Sequence, residues 1–217
     1  MKKKILVLTA LKGSGKDTTG DYIVRNYQNW EKDSFAGTLK DAVSAIFSWD
    51  RKMLAGETPE DRVIRETKDE YWSNCFGYEI TPRIMLQKFG TEVLRNHLHK
   101  NIWVDSLRLK IEKSEKNIII TDCRFKNEID MFRNIGAKIV RIQRGELPDW
   151  FDTVSKLNKS GCSPERILEL VPELKNVHQS EWDWIGYDRP DAILDNNGTI
   201  NDLYPFIDIL MRELFNE

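Results

Sequence analysis

The stretch "ILVLTALKGSGKDTT", Ile5 to Thr19, confines this chain to few folds. A short continuous apolar run, Lys4 to Thr9, suits a strand buried on both faces of a parallel sheet. It runs directly into two glycines and a lysine, after which a helical pattern begins. Glycines let backbone N–H groups turn inward without interference from a Cβ, and the start of a helix adds a positive end. Lys16 supplies a point charge suited to the β and γ phosphates. Gly13, Ser14, Gly15 and Lys16 therefore read as a cradle for a nucleoside triphosphate. The plainer alternative is a strand-to-helix turn with a solvated lysine, and the strand before and helix after favour the cradle.

Two departures from the usual pattern matter. Ala10 stands where a glycine is common, a change that a negative φ tolerates. Asp17 replaces the hydroxyl residue that normally holds Mg²⁺, although Thr18 follows and is placed to bond the α-phosphate. Mg²⁺ takes oxygen ligands and keeps several waters, so the Asp17 carboxylate would carry it directly or through water.

Three further apolar runs repeat the first: Asn117 to Thr121, Ala137 to Ile142 and, more weakly, Asp191 to Asp195. Between them lie helical patterns. Leu39, Val43, Ile46 and Phe47 share one face, as do Met85, Phe89, Val93 and Leu94, then Phe125, Ile129 and Phe132. A last stripe runs through Ile200, Leu203, Ile207, Leu210 and Leu214. Strands alternating with helices predict an α/β fold with a central parallel sheet flanked by helices. At 217 residues, one domain spanning 1–217 is expected. Two long stretches interrupt the alternation. Residues 50–82 are charged and predict short helices, and residues 145–190, rich in Trp, Pro and charge, predict a helical excursion above the sheet. Loops of that length inside compact domains are usually functional or mobile.

"IIITDCRFKNE" ends a strand with Asp122 and then Arg124, at the carboxyl edge where open α/β sheets bind ligands. Asp122 either orients Mg²⁺ or its waters, or caps the helix that starts near Phe125. Phosphoryl transfer spreads negative charge over the moving group, and arginine forks answer it bidentately. Arg83, Arg95, Arg124, Arg141 and Arg144 are the candidates. Arg144 is the one best placed to serve from a lid, because "RIQRG" leaves the sheet and enters the excursion. The seven tryptophans suit base stacking or core packing, and packing is the commoner use. His97 and His99 lie two apart on a predicted helix and diverge, which argues against a shared metal.

A net charge of −2 removes the broad attraction that a sequence-independent nucleic-acid binder would use, so no nucleic-acid partner is expected. "MKKK" is followed by too short an apolar run for a signal peptide or a membrane span, which predicts a cytoplasmic protein with no membrane partner. Cys75, Cys123 and Cys162 are far apart and in no metal-ligand spacing, and read as reduced thiols.

Taken in order, "GSGKDTTGDYI", "FAGTLKDAV", "TPRIMLQKFGTEVLR", "IIITDCRFKNEIDMFRNIGAKIVRI", "HQSEW" and "DNNGTINDLYPFI" resemble the deoxynucleoside monophosphate kinases of bacteriophages. The resemblance covers nearly the whole chain and includes the Lys-Asp-Thr departure from the standard cradle. It implies a P-loop kinase fold with a helical acceptor-binding insert at 50–82 and a lid at 145–190. It implies transfer of the ATP γ-phosphate to a deoxynucleoside monophosphate, with Mg²⁺, and in the host cytoplasm for a phage-encoded chain. By position, Gly13, Ser14, Gly15, Lys16, Asp17 and Thr18 would hold ATP, and Asn196, Asn197 and Gly198 would touch its adenine. Phe35, Lys40, Arg83, Gln87, Thr91 and Arg95 would line the acceptor site, Gln87 reading a base edge and the arginines gripping the phosphate. Lys16, Arg124 and Arg144 would be catalytic, and Asp17 and Asp122 would serve the metal. The resemblance also admits a homodimer. Other readings of the same cradle are a dephospho-coenzyme A kinase, a phosphomevalonate kinase or a nucleotide-binding module without catalysis.

Overall fold

The computed structural model describes residues 3–56 and 58–217, the side chains of Thr91 and Asn96 excepted. From the N-terminus, the elements are β1 (Ile5–Thr9), α1 (Lys16–Asn26), β2 (Trp30–Asp33), α2 (Phe35–Phe47), α3 (Arg51–Ala55), α4 (Pro59–Glu66), α5 (Glu70–Phe76) and α6 (Pro82–Gln87). A wide helix closed by i→i−5 hydrogen bonds follows over Lys88–Leu98. Then come α7 (Ile102–Lys113), β3 (Asn117–Ile120), α8 (Lys126–Asn134), β4 (Lys138–Gln143), α9 (Phe151–Lys159), α10 (Pro164–Leu170), β5 (Ala192–Asp195) and α11 (Ile200–Phe215). The chain divides into two compact units, Met1–Ser34 with Ile111–Glu217, and Phe35–Lys110.

The first unit carries a five-stranded sheet in the order β2-β3-β1-β4-β5, with every neighbouring pair parallel. β1 is central because it is apolar throughout: Leu6, Val7 and Leu8 are fully buried. It pairs with β3 through Leu6 and Ile119, and with β4 through Val7 and Ile139. The chain thus winds to both sides of β1, and the loop that leaves β1 sits at the carboxyl edge of the sheet, the usual ligand side. Gly20 lets α1 lie close to the sheet, since a Cβ there would stand 2.8 Å from Thr121 Cγ2. α11 covers the same core with Leu203, Ile207, Leu210 and Met211.

β2 lies outside the strands expected from sequence. "WEKD" has no apolar run, yet it pairs with β3 from Trp30 to Asp33 at the end of the sheet. An edge strand needs one partner and one buried face, and Trp30 alone is buried here.

In the second unit Val43, Phe47, Met53, Leu54, Ile80, Met85 and Leu86 make the core. Trp49 and Trp72 belong to it: Trp49 stacks on Phe47 with ring centres 4.6 Å apart and donates to Asp69, while Trp72 donates to the Phe47 carbonyl. The expected apolar face through Met85, Phe89, Val93 and Leu94 is broken, with Val93 exposed. The period changes at Lys88, where the i→i−5 helix takes over from α6 and lengthens each turn. Ile46 likewise faces solvent instead of the core. Residues 50–82 form α3 to α5 with no strand among the described residues.

The excursion 145–190 contributes several buried apolar side chains. Trp182, Trp184 and Ile185 are almost wholly buried with Phe151, Val154, Ile167 and Leu174. Buried Asn158 donates from its amide to the carbonyls of Trp182 and Ile185, at 3.1 and 2.9 Å. Among the described residues, no helix is long and apolar enough to cross a membrane.

Candidate active site

Gly13 and Gly15 both take positive φ, 82° and 95°, so the loop after β1 turns as only glycine does without strain. Gly15 then serves as the N-cap of α1. Glycine is favoured there twice, because besides the positive φ a Cβ would lie 2.5 Å from the Asn196 amide nitrogen. That amide donates to the Ser14 carbonyl at 2.9 Å in a buried contact. Asn196, expected at the adenine, thus holds the cradle loop through its amide nitrogen. Asn197 accepts from Gly145 N–H at 2.6 Å and ties the loop after β4 to the loop after β5. Gly198 lies against Asp202, which closes the capping box of α11 with Thr199.

The Lys16 ammonium folds back over the loop and donates to the carbonyls of Ala10 and Leu11, at 2.9 and 3.2 Å. Burial lowers its pKa to about 8, assisted by the Arg124 charge and opposed by Glu181, Asp17 and Asp122. Asp17 and Thr18 are exposed on the first turn of α1. The Asp17 carboxylate accepts from the Thr121 hydroxyl at 3.1 Å and lies 3.6 Å from the Lys32 ammonium. Asp122 follows Thr121 at the end of β3 and is half-buried. The amides of Arg124 and Phe125, at the start of α8, are taken by the buried carboxylate of Glu128.

Arg124 forms an ion pair with Glu181 at 2.5 Å, and the other Glu181 oxygen accepts from the Lys12 N–H of the cradle loop at 3.1 Å. Glu181 lies 169 residues from Lys12, and no spacing in the sequence announces the contact. Arg141, one of the sequence candidates, is committed elsewhere. Its guanidinium grips fully buried Asp188 bidentately at 2.6 and 2.7 Å, above the rings of Phe151 and Trp184. Thr9 donates to the same carboxylate. Removing one member of such a pair leaves a buried charge uncompensated, at a cost of about 3–5 kcal/mol. Asp188→Ala is expected to lose stability on that scale in urea unfolding; a loss under about 1 kcal/mol would remove the pair from the framework of β1 and β4. Arg144, at the end of β4, is exposed.

In the second unit Phe35 is buried at the start of α2, Lys40 is half-buried, and Gln87 is exposed. Arg83 is half-exposed and pairs with Glu66 at 3.2 Å. Arg95 is half-buried on the wide helix. Arg83, Gln87 and Arg95 fall at multiples of four residues, which a helix turning wider than the α form beyond Lys88 keeps near one face. The side chain of Thr91 lies outside the described residues.

The donor set fits a triphosphate. An open glycine turn, a helix start and a partly buried ammonium meet at one sheet edge. It also fits Mg²⁺ of the kind that borrows ligands from phosphate. Asp17 and Asp122 are carboxylates, and among the described residues no group of three or more His, Cys, Asp or Glu side chains builds a metal cage.

Comparison with known proteins finds similarities over part or most of the chain. Residues 57–155 match the model of the deoxynucleotide monophosphate kinase family. A putative deoxynucleotide monophosphate kinase of Acanthamoeba polyphaga mimivirus is 29% identical over 205 residues, 89% of this chain and 88% of the relative. The deoxynucleoside-5'-monophosphate kinase of Escherichia phage T5 is 38% identical over 73 residues, 33% of this chain and 28% of the relative. Among solved structures, a dephospho-CoA kinase from Campylobacter jejuni aligns over 99% of this chain and 98% of its own, with 15% identity and a TM-score of 0.48. Sequence motifs, family model and viral relatives agree: the chain is similar to the deoxynucleotide monophosphate kinases.

Proposed function

We propose that the protein is an ATP-dependent deoxynucleoside monophosphate kinase. The observation that carries this reading is the cradle itself: Gly13 and Gly15 at positive φ, Lys16 over the loop, and Arg124 within the same electrostatic field. The viral relatives named for this activity point to the acceptor.

In the reaction, the bond from the γ-phosphorus to the β–γ bridging oxygen breaks and a bond to an oxygen of the acceptor phosphate forms. The bridging oxygen leaves with ADP, and the product is a deoxynucleoside diphosphate. The acceptor phosphate is already an anion at neutral pH, so no general base is required. Alignment and neutralisation of charge carry the rate. Gly13 to Thr18 would seat the triphosphate, and the Lys16 ammonium would turn from the Ala10 and Leu11 carbonyls toward the transferring group. Arg124 and Arg144 would neutralise the equatorial oxygens. Phe35, Lys40, Arg83, Gln87, Thr91 and Arg95 are our acceptor-side assignments, and Asn196 to Gly198 would face the adenine through their backbone while the Asn196 side chain holds Ser14. When bound, Mg²⁺ neutralises phosphate oxygens, and Asp17 and Asp122 would hold it directly or through water.

A coupled assay of ADP release across the four deoxynucleoside monophosphates and their ribose counterparts tests the function. Turnover that depends on an added monophosphate is expected. ATP hydrolysis at the same rate with no acceptor present would refute the assignment.

A further inference from the structure

We propose that Glu181 is a positioning residue for phosphoryl transfer: its carboxylate, held on the Lys12 amide of the cradle loop, fixes the Arg124 guanidinium against that loop. The inference rests on the kinase reading above and extends it to a residue with no role in that reading.

Three observations carry it. First, the two oxygens of one carboxylate divide between the two sides of the site, one on Lys12 N–H at 3.1 Å and one on Arg124 Nη1 at 2.5 Å. A charged donor on a carboxylate makes a short, strong bond, and a second bond from the same group sets its direction. Second, the carboxylate does not float. Gln179 to Glu181 form a single 3₁₀ turn capped by the His178 imidazole, which accepts from Ser180 N–H. Trp182 and Trp184, immediately after, are buried, and Asn158 holds the Trp182 carbonyl. Third, the same turn is tied to the start of α8 beside Arg124. Asp183 accepts from the Lys126 N–H at 3.1 Å and from the Gln179 amide at 2.9 Å. The backbone end of Arg124 is anchored by Glu128 and its guanidinium end by Glu181, so both ends of a long, rotamer-rich side chain are fixed. An arginine serves transition-state charge only if its fork is already aimed, and a misplacement of about 1 Å costs on the order of 10²-fold in rate.

Without the carboxylate, Arg124 keeps its charge and loses its aim. The rate of transfer falls while the cradle still binds nucleotide.

The test compares wild type, Glu181→Gln, Arg124→Ala and the double variant in the coupled ADP assay. Near-ultraviolet circular dichroism from Trp182 and Trp184 checks that the turn stays folded. Glu181→Gln keeps an oxygen for Lys12 and removes the charge from Arg124. Expected is a fall in kcat of ~10²-fold, with KM for ATP within about two-fold of wild type. In the Arg124→Ala background the same change is expected to cost nothing further, because the two residues act as a unit. Glu181→Asp, which keeps the charge, should recover part of the rate, and it reads the same quantity should the glutamine variant fail to fold. Wild-type kcat in Glu181→Gln, or losses that add in the double variant, would overturn the inference and leave the kinase reading standing. A wild-type protein inactive with every monophosphate would remove both.

Discussion

Lys16→Ala is expected to abolish measurable phosphoryl transfer while the protein stays folded. Among the described residues the side chain's hydrogen bonds go to two carbonyls of its loop, so its removal strips no core and breaks no ion pair there. What is lost is the Lys16 ammonium, which in the proposed reaction would meet the charge that develops on the transferring group. Single preorganised donors at such positions are worth ~10²–10³-fold in rate, and a full charge in a partly desolvated site is expected to reach the upper end or exceed it. Single-turnover measurements with saturating ATP separate this loss from weaker binding. Retention of more than about a tenth of the wild-type rate would take Lys16 out of the catalytic machinery.

The same lysine gives the pH dependence its sign. Burial holds its pKa down to about 8, so in the free enzyme the ammonium is charged below that value and neutral above it. kcat/KM is therefore expected to fall as the pH rises through about 8, since that parameter reports ionisations of the free enzyme. Stability runs the other way. Between about pH 8 and the ordinary lysine range the unfolded chain binds more protons than the folded one, so the cost of burying the ammonium is relieved as the pH rises.

Arg124→Ala is the second large effect. By analogy with arginine fingers, a loss of ~10³–10⁵-fold in kcat is expected, with binding of the deoxynucleotide little changed. Arg144→Ala is expected to act in the same direction from the exposed end of β4. The two arginines differ in their support. Arg124 is braced by Glu181 and Glu128, whereas Arg144 extends from an exposed strand end. If Arg124→Ala turned over at the wild-type rate, the charge on the moving phosphoryl group would have to be met elsewhere.

Much of the fold was legible in the chain itself. β1, β3 and β4 lie in continuous apolar runs because a parallel sheet covered on both faces demands them, and the structure places them side by side. The cradle was legible because its chemistry is local: a positive-φ turn, a helix start and a lysine all fall within seven residues, Ala10 to Lys16. β2 was not, since an edge strand of "WEKD" has no periodicity to announce it. Nor was the break at Lys88, because the switch from i→i−4 to i→i−5 bonding depends on packing that spacing does not record.

For the site the division is sharper. Sequence by itself determined the glycine turn proposed to bind phosphate and its departures at Ala10 and Asp17, because backbone conformation over a few residues is set by which of them carry a Cβ. Only the tertiary structure decided the fate of the charged side chains. It gave Arg141 to buried Asp188, placed the Asn196 amide beneath Ser14, and brought Glu181 across 169 residues to Lys12. An ion pair is a property of distance and burial. Neither is written in the order of residues once the partners are far apart along the chain.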